Sequence, residues 1–245
     1  MVDPRLLRHV LPICLLVLTA CASSNPADVT TTTVDRTEAA ASAPAPPVTS
    51  SSDGEPDRNV RVPSSTQPVI DGSLGALEWE AATQSSMSDG GAVYLLQSDS
   101  TLYVAVQSDE IGSVNVVLAT EAEVWILHSS AALGSARYLS AGPGWTLAHG
   151  FDWCCRSASD QTERDALFSS EGWDATIGFA GDPGVVEYAI DLPWEGAALA
   201  VSTVRDANDR GFWPASLSVD ARTQIVGVPP SERSFTTAEW MILEN

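Results

Sequence analysis

The chain has 245 residues and a formal net charge of −20, and all 12 of its basic residues are arginine. Such an acidic surface is a poor partner for nucleic acid or anionic lipid headgroups. The lack of lysine excludes P-loop, pyridoxal phosphate, Schiff-base and protein-kinase chemistry, because each needs a lysine side chain.

Residues 1–20 are predicted to be a secretory signal peptide. Two arginines among the first eight residues precede an apolar run from Val10 to Leu18, and two small residues follow it. This order is typical of an export signal. The apolar run is too short to cross a bilayer core of about 30 Å. We therefore expect the leader to be removed.

The end of the leader predicts lipidation of Cys21. The tetrad Leu18-Thr19-Ala20-Cys21 resembles the bacterial lipobox, in which the cysteine thiol is alkylated by a diacylglycerol before cleavage. Each buried methylene of such a lipid stabilises membrane attachment by about 0.8 kcal/mol. An ordinary signal peptide with an incidental cysteine is the alternative. The sequence thus predicts an extracytoplasmic lipoprotein, at the cell surface or on the periplasmic side.

Residues 21–66 are predicted to be the lipidated cysteine and a disordered tether. Between positions 22 and 66, 28 of 45 residues are Ser, Thr, Ala or Pro, and none is aromatic. Such a segment buries too little apolar surface to offset its ordering entropy. We expect the folded domain to span residues 67–245.

Residues 67–245 contain every aromatic residue of the chain, in short apolar runs separated by turn residues. Leu102, Val104 and Val106 alternate along one predicted strand. Asp99-Ser100 predicts a hairpin turn before that strand, and the paired run begins at Ala92. Further strands are predicted over 114–118, 124–128, 185–192, 199–204 and 240–243.

Helix signals are few. Asp160 followed by Glu163 has the pattern of a capping box, and Gly172 is placed to end a short helix after Ser170. The many short strands predict an all-β fold, an antiparallel β-sandwich with one or two short helices.

Four ordered segments carry a family resemblance. They are Pro68-Val69-Ile70-Asp71-Gly72 with Leu77-Glu78-Trp79, Leu102-Tyr103-Val104-Ala105-Val106, Val186-Glu187-Tyr188-Ala189-Ile190, and Val204-Arg205-Asp206-Ala207-Asn208 with Gly211 and Trp213. The set resembles the family 9 carbohydrate-binding module and its DOMON-like relatives, which are antiparallel β-sandwiches. The resemblance implies a non-catalytic domain that binds carbohydrate.

The sugar clamp of that family is not reproduced in this chain. Family members hold a terminal sugar ring between two aromatic side chains. One precedes the third strand, where this chain has Ser108-Asp109-Glu110-Ile111-Gly112 without an aromatic. The other lies before the last strand, where Phe235 or Trp240 is nearest, and Phe235 is taken as the candidate.

The middle of the domain, from 119 to 183, has no counterpart in the resemblance. Trp145 and Trp153 lie there among glycines and an aspartate, a composition typical of a loop. Exposed rings in such a loop would stack on the face of a sugar, so both are candidate ligand-binding residues. The alternative is that they belong to the core or close one end of the sandwich.

Cys154 and Cys155 form the only cysteine pair left after lipidation of Cys21. An exported pair is normally oxidised, which favours a vicinal disulfide. Two free thiols are an alternative. A metal site that also uses His149 and Asp152 is another, although the spacing matches no standard motif.

The sequence contains neither a Gly-x-Ser-x-Gly elbow nor a His-Glu-x-x-His helix. Paired carboxylates leave no fixed spacing in sequence, so a glycoside-acting enzyme stays an alternative. No cofactor is predicted, and a structural calcium ion is left open. Haem would need an axial ligand such as Met87 together with a histidine.

The sequence as a whole predicts a lipid-anchored domain that binds a ligand without catalysis. A glycan or cell-envelope polysaccharide is the leading ligand class. A structural or protein-interaction lipoprotein without the sugar clamp is the alternative.

Replacing Cys21 by alanine is expected to release the protein from membranes, because the lipid is the predicted anchor. Detergent-phase partitioning of wild type and Cys21→Ala measures this directly. Equal partitioning of the two proteins would show that the anchor lies elsewhere.

Overall fold

The computed structural model describes residues 57–75, 77–155, 161–177, 183–206, 209–227 and 229–245. The predicted signal peptide and Cys21 lie outside the described residues. The strands are β1 (Asn59–Arg61), β2 (Thr83–Ser86), β3 (Ala92–Ser98), β4 (Thr101–Ser108), β5 (Ser113–Ala119), β6 (Glu123–Ser129), β7 (Leu133–Ala141), β8 (Gly144–Cys154), β9 (Trp173–Ala175), β10 (Gly184–Ile190), β11 (Ala198–Val204), β12 (Arg210–Trp213), β13 (Glu232–Arg233) and β14 (Met241–Glu244). The helices are α1 (Gln161–Glu171) and α2 (Val219–Gln224), with a single 3₁₀ turn at Thr237–Glu239.

The strands form two sheets. The large sheet has the order β1-β14-β11-β5-β6-β7-β8-β13, with β12 also paired to β11, and the small sheet has the order β2-β3-β4-β10-β9. The predicted β-sandwich is confirmed. Among the strand pairs described, β1 and β14 run parallel and the others are antiparallel.

The inner core lies between the facing sides of the two sheets. Leu102, Val104 and Val106 enter it from β4, as their alternation predicts, and Val114 and Val116 enter it from β5. Each apolar run predicted to be a strand is one, with its ends shifted by a residue or two. Period-2 alternation therefore places the core residues of these strands correctly.

Both sheets are also covered on their outer faces. On the large sheet, Val117 and Ile126 pack under Ala221 of α2 and the fully buried Trp240. On the small sheet, Tyr103 is only 3% exposed and packs with Trp79 and Leu96 in a separate cluster. Tyr103 thus does not face solvent, and β4 is buried on both faces.

The carboxylate of Glu187 fastens the start of the domain to the small sheet. One oxygen accepts the backbone N–H of Asp71 at 2.9 Å and of Gly72 at 2.7 Å, and the other accepts the indole N–H of Trp79 at 2.9 Å. Burial raises the pKa of Glu187, and these hydrogen bonds oppose the rise. Trp79 is therefore part of the buried cluster on the outer face of the small sheet.

The folded domain begins earlier than the composition predicts. β1 pairs with β14, and Val60 and Val62 are buried in the inner core, although they lie within the predicted tether 21–66. Val60 and Val62 are apolar residues in a Ser/Thr/Pro-rich context, and pairing with a distant strand gives them their burial. The described part of the chain from 57 to 66 thus belongs to the domain.

The predicted short helix is present as α1, which begins at Gln161 and ends at Glu171. Gly172 follows with φ +74° and its N–H bonds the carbonyl of Phe168 at 3.0 Å, as a helix-ending glycine should. The capping residue Asp160 lies outside the described residues. Neither helix of the described ranges has the length and apolar character to cross a membrane.

Leu102→Ala and Tyr103→Ala are both expected to lower the free energy of unfolding, by about 2 to 5 kcal/mol each, because the two side chains leave cavities on opposite faces of β4. Urea midpoints measure the loss, with the exposed Ser86→Ala on β2 as a control that should shift the stability by less than about 0.5 kcal/mol. If Tyr103→Ala lowered the free energy of unfolding as little as Ser86→Ala does, the outer face of the small sheet would be open to solvent.

Candidate functional site

One row of residues crosses the outer face of the large sheet. Ser202 of β11 lies opposite Asn115 of β5, Asn115 opposite His128 of β6, His128 opposite Gly134 of β7, and Gly134 opposite Trp153 of β8. Directly opposed residues share a face and lie about 5 Å apart. The row therefore runs from polar side chains, past a glycine, to an aromatic ring.

Gly134 makes room for two rings over β7. A Cβ atom at this position would lie 3.0 Å from a ring atom of Trp153 and 3.2 Å from one of Phe151. Contacts this short force the neighbouring groups to move. The absence of a side chain at Gly134 thus lets both rings lie close against the sheet.

The rings of Phe151, Trp153 and His128 form a cluster that we call the Trp153 platform. Phe151 and Trp153 are stacked, with centroids 5.2 Å apart and planes 27° apart. His128 lies edge-on to both, 5.6 Å from Phe151 and 5.3 Å from Trp153. Phe151 packs against the buried cluster around Val117, Ile126 and Trp240 on the outer face of the large sheet, which we call the outer core, whereas 46% of the Trp153 surface is exposed.

A buried amide holds the imidazole of His128. The Asn115 side-chain nitrogen donates to the carbonyl of Ile225 at 3.1 Å and to the Ser202 hydroxyl oxygen at 3.3 Å. Ser202 in turn donates to the same carbonyl at 3.0 Å. With its nitrogen so engaged, Asn115 presents Oδ1 to His128, and the distance from Oδ1 to Nδ1 is 2.7 Å.

This contact fixes the tautomer of His128. An amide oxygen only accepts, so Nδ1 must carry the proton and Nε2 must carry the lone pair. Burial lowers the pKa of His128 to about 4, so the ring is neutral at pH 7. Nε2 makes no hydrogen bond within the part of the chain that the structure describes. The platform therefore combines an exposed aromatic face with a hydrogen-bond acceptor.

The structure separates the three predicted ligand-binding aromatics. Trp145 and Phe235 are brought together at 6.2 Å between centroids. Trp153 lies at the other end of β8, roughly 25 Å away at 3.3 Å per residue. The prediction of a loop there is wrong, since Gly144–Cys154 is a continuous strand. Its glycines and aspartate resemble loop composition but occupy a strand near the sheet's edge.

Trp145 and Phe235 are partly buried against the outer core. The Phe235 ring also packs edge-on to Tyr138 and to Trp240, with the Arg233 guanidinium 5.8 Å from its centre. A cleft of about 500 Å³ opens beside Trp145 and Arg233. Phe235 thus fills space between side chains of the outer core.

Cys154 and Cys155 are joined in a disulfide in this structure. Cys155 is buried in the inner core, and Cys154 lines a cleft of about 330 Å³ beside α1 together with His149 and Asp152. Within the described ranges, no three His, Cys, Asp or Glu side chains are placed to hold a metal ion. Met87 is a buried core residue.

A second cleft, of about 720 Å³, lies between α1 and the outer face of the small sheet. Arg164 and Asp174 line it, and each satisfies the other through two hydrogen bonds of 2.9 Å and 2.6 Å. A charged pair that is engaged in this way offers little to a ligand. The cleft is therefore a weaker candidate than the Trp153 platform.

No family model, curated protein or solved structure matches this chain. The candidate site is therefore inferred from the strand register and from the side-chain contacts of its own residues. Among them, Phe151, Asn115 and Gly134 were not expected from the sequence. Asn115 carries the clearest signal, because it is the one polar residue between Val114 and Leu118 in an otherwise apolar strand.

Lowering the pH from 7 to 5 is expected to destabilise the wild type by about 2 kcal/mol more than His128→Gln. The pKa of His128 is about 4 in the folded chain and 6.5 when unperturbed, so below pH 6.5 the unfolded chain takes up the proton first. The loss of stability grows until the pH reaches about 4. Glutamine keeps a donor for Asn115 but does not titrate.

Urea midpoints of both proteins at pH 7, 6 and 5 measure this difference. Carboxylates titrate alike in the two proteins and cancel. Parallel pH dependences would contradict the buried, neutral state of His128.

Proposed function

We propose that this protein is an extracytoplasmic lipoprotein, anchored to a membrane through Cys21, whose domain binds carbohydrate and does not catalyse a reaction. The observation that carries the proposal is the Trp153 platform. Trp153 is 46% exposed, and its ring contacts an imidazole whose Nε2 is free to accept a hydrogen bond.

Carbohydrates fit this combination of groups. A sugar ring has an apolar C–H face that packs on an aromatic ring and hydroxyls at its edge that form hydrogen bonds. Ligand sites in general pair an apolar surface with a few placed polar groups. The rigid backing of Phe151, itself packed on the outer core, holds the Trp153 ring in place before a ligand arrives.

The charge of the chain supports the same proposal. A net charge of −20 repels nucleic acid and anionic membrane surfaces. Attachment to the membrane is therefore assigned to the lipid on Cys21 and ligand binding to the domain, with the segment between them as a tether.

The resemblance to family 9 carbohydrate-binding modules supports only the choice of carbohydrate as the ligand class. The family's first clamp position corresponds to Ser108–Gly112, which has no aromatic. The second corresponds to Phe235, which packs against the outer core. The proposal keeps carbohydrate as the ligand and places the contact at Trp153, on a different part of the surface.

Trp153→Ala is expected to weaken binding of a soluble polysaccharide at least tenfold, because the stacking surface is removed. Native affinity electrophoresis of the full chain in detergent measures this in gels that contain a neutral β-glucan, a mannan or a polygalacturonate. Trp153→Phe keeps a ring and should retain most of the retardation.

Leu139→Ala is the matched control, since Leu139 is an apolar side chain of β7 with 41% exposure and no place in the platform. It should migrate as the wild type does. Wild type that no polysaccharide retards, or retardation that survives Trp153→Ala, would contradict the proposed function.

A further inference from the structure

The Trp153 platform contains one polar group whose hydrogen-bonding role is fixed by the fold. Asn115 Oδ1 accepts a hydrogen bond from His128 Nδ1 at 2.7 Å, so Nε2 presents a lone pair. Asn115 cannot turn its amide around, because its nitrogen would then leave Ile225 and its oxygen would face that carbonyl. His128 therefore offers an acceptor and no donor at Nε2.

This acceptor borders the exposed ring of the platform. The imidazole and indole planes are 89° apart with centroids separated by 5.3 Å, so the two rings are in T-shaped contact and His128 is a direct neighbour of Trp153. A sugar ring stacked on the exposed part of the indole would bring one of its edges near the imidazole.

We propose that His128 determines which sugars the platform accepts: Nε2 takes a hydrogen bond from a hydroxyl of the ring stacked on Trp153. Sugars with a hydroxyl at that edge are bound, and sugars with a carboxylate there are rejected. The inference rests on the proposed function. It adds which group makes the polar contact with the sugar and how the platform selects among sugars.

The rejection of carboxylates follows from the acceptor at Nε2 and from the net charge of the chain. A neutral imidazole lone pair repels a carboxylate oxygen, which is itself only an acceptor. The arginines that lie over aromatic rings in the described structure do so at Trp125, Phe212 and Phe235, and none lies over Phe151 or Trp153. The net charge of −20 adds long-range repulsion.

Two substitutions separate the role of His128 from that of Trp153. His128→Phe keeps an aromatic ring and removes the acceptor, and we expect it to weaken retardation by hydroxyethylcellulose or mannan about tenfold. His128→Arg replaces the acceptor by charged donors and should gain retardation by polygalacturonate. Native affinity electrophoresis of the full chain in detergent measures both, with urea unfolding as a check that each variant is folded.

A measurement on the wild type covers the case in which a variant fails to fold. Long-range ¹H–¹⁵N NMR spectra of the imidazole nitrogens follow Nε2 while hydroxyethylcellulose oligomers are added. A shift of the His128 Nε2 resonance that saturates with the oligomer supports the inference. An unshifted resonance in a protein that binds the oligomer overturns it.

The outcomes distinguish the two proposals. If Trp153→Ala abolishes binding and His128→Phe leaves it unchanged, carbohydrate binding stands and the role of His128 is overturned. Wild type retarded by polygalacturonate as strongly as by neutral polysaccharides also overturns that role. If no polysaccharide retards the wild type, both proposals fail.

Discussion

The register of the large sheet decides which side chains share its outer face. Side chains alternate with period 2, so a slip of one residue between β6 and β7, or between β7 and β8, would turn a whole row to the other side. In the observed register Asn115, His128, Gly134 and Trp153 are neighbours across four strands. The candidate site exists only because these pairings hold, and the inner core of Leu127 and Leu133 on the opposite face enforces them.

The same row of residues connects the packing at the end of α2 to the geometry of the candidate site. Ile225, at the end of α2, is fully buried in the outer core, and its carbonyl accepts hydrogen bonds from both Asn115 and Ser202. The side chain of Asn115, held in this way, accepts a hydrogen bond from His128 Nδ1 and so orients the imidazole. A polar group buried in a sheet must be hydrogen-bonded, and here satisfying it also fixes the tautomer of a partly exposed ring.

The sequence predicts the strands well where alternation is clear and the neighbours are close. It fails at β8, because glycine and aspartate in this segment resemble loop composition while pairing with β7 makes it a strand. It also misses the burial of Val60 and Val62, which depends on β14 at the far end of the chain. Local composition carries no information about such distant partners.

The candidate site was predictable only in part. Trp153 is the predicted candidate that is exposed, but its partners Phe151 and His128 are joined to it through ring contacts that depend on register. Asn115 meets Ser202 across 87 residues, and Glu187 meets Trp79 across 108. These contacts follow from topology, which the order of apolar runs does not specify.

We propose that carbohydrate binds to the outer face of the large sheet at Trp153. The most direct test of this proposal is chemical-shift mapping of the ¹⁵N-labelled chain as neutral oligosaccharides are added. We expect the largest shifts at the Trp153 indole and at the amides of Phe151 and Gly134. Shifts confined to the clefts beside Trp145 or α1, with Trp153 unchanged, would contradict it.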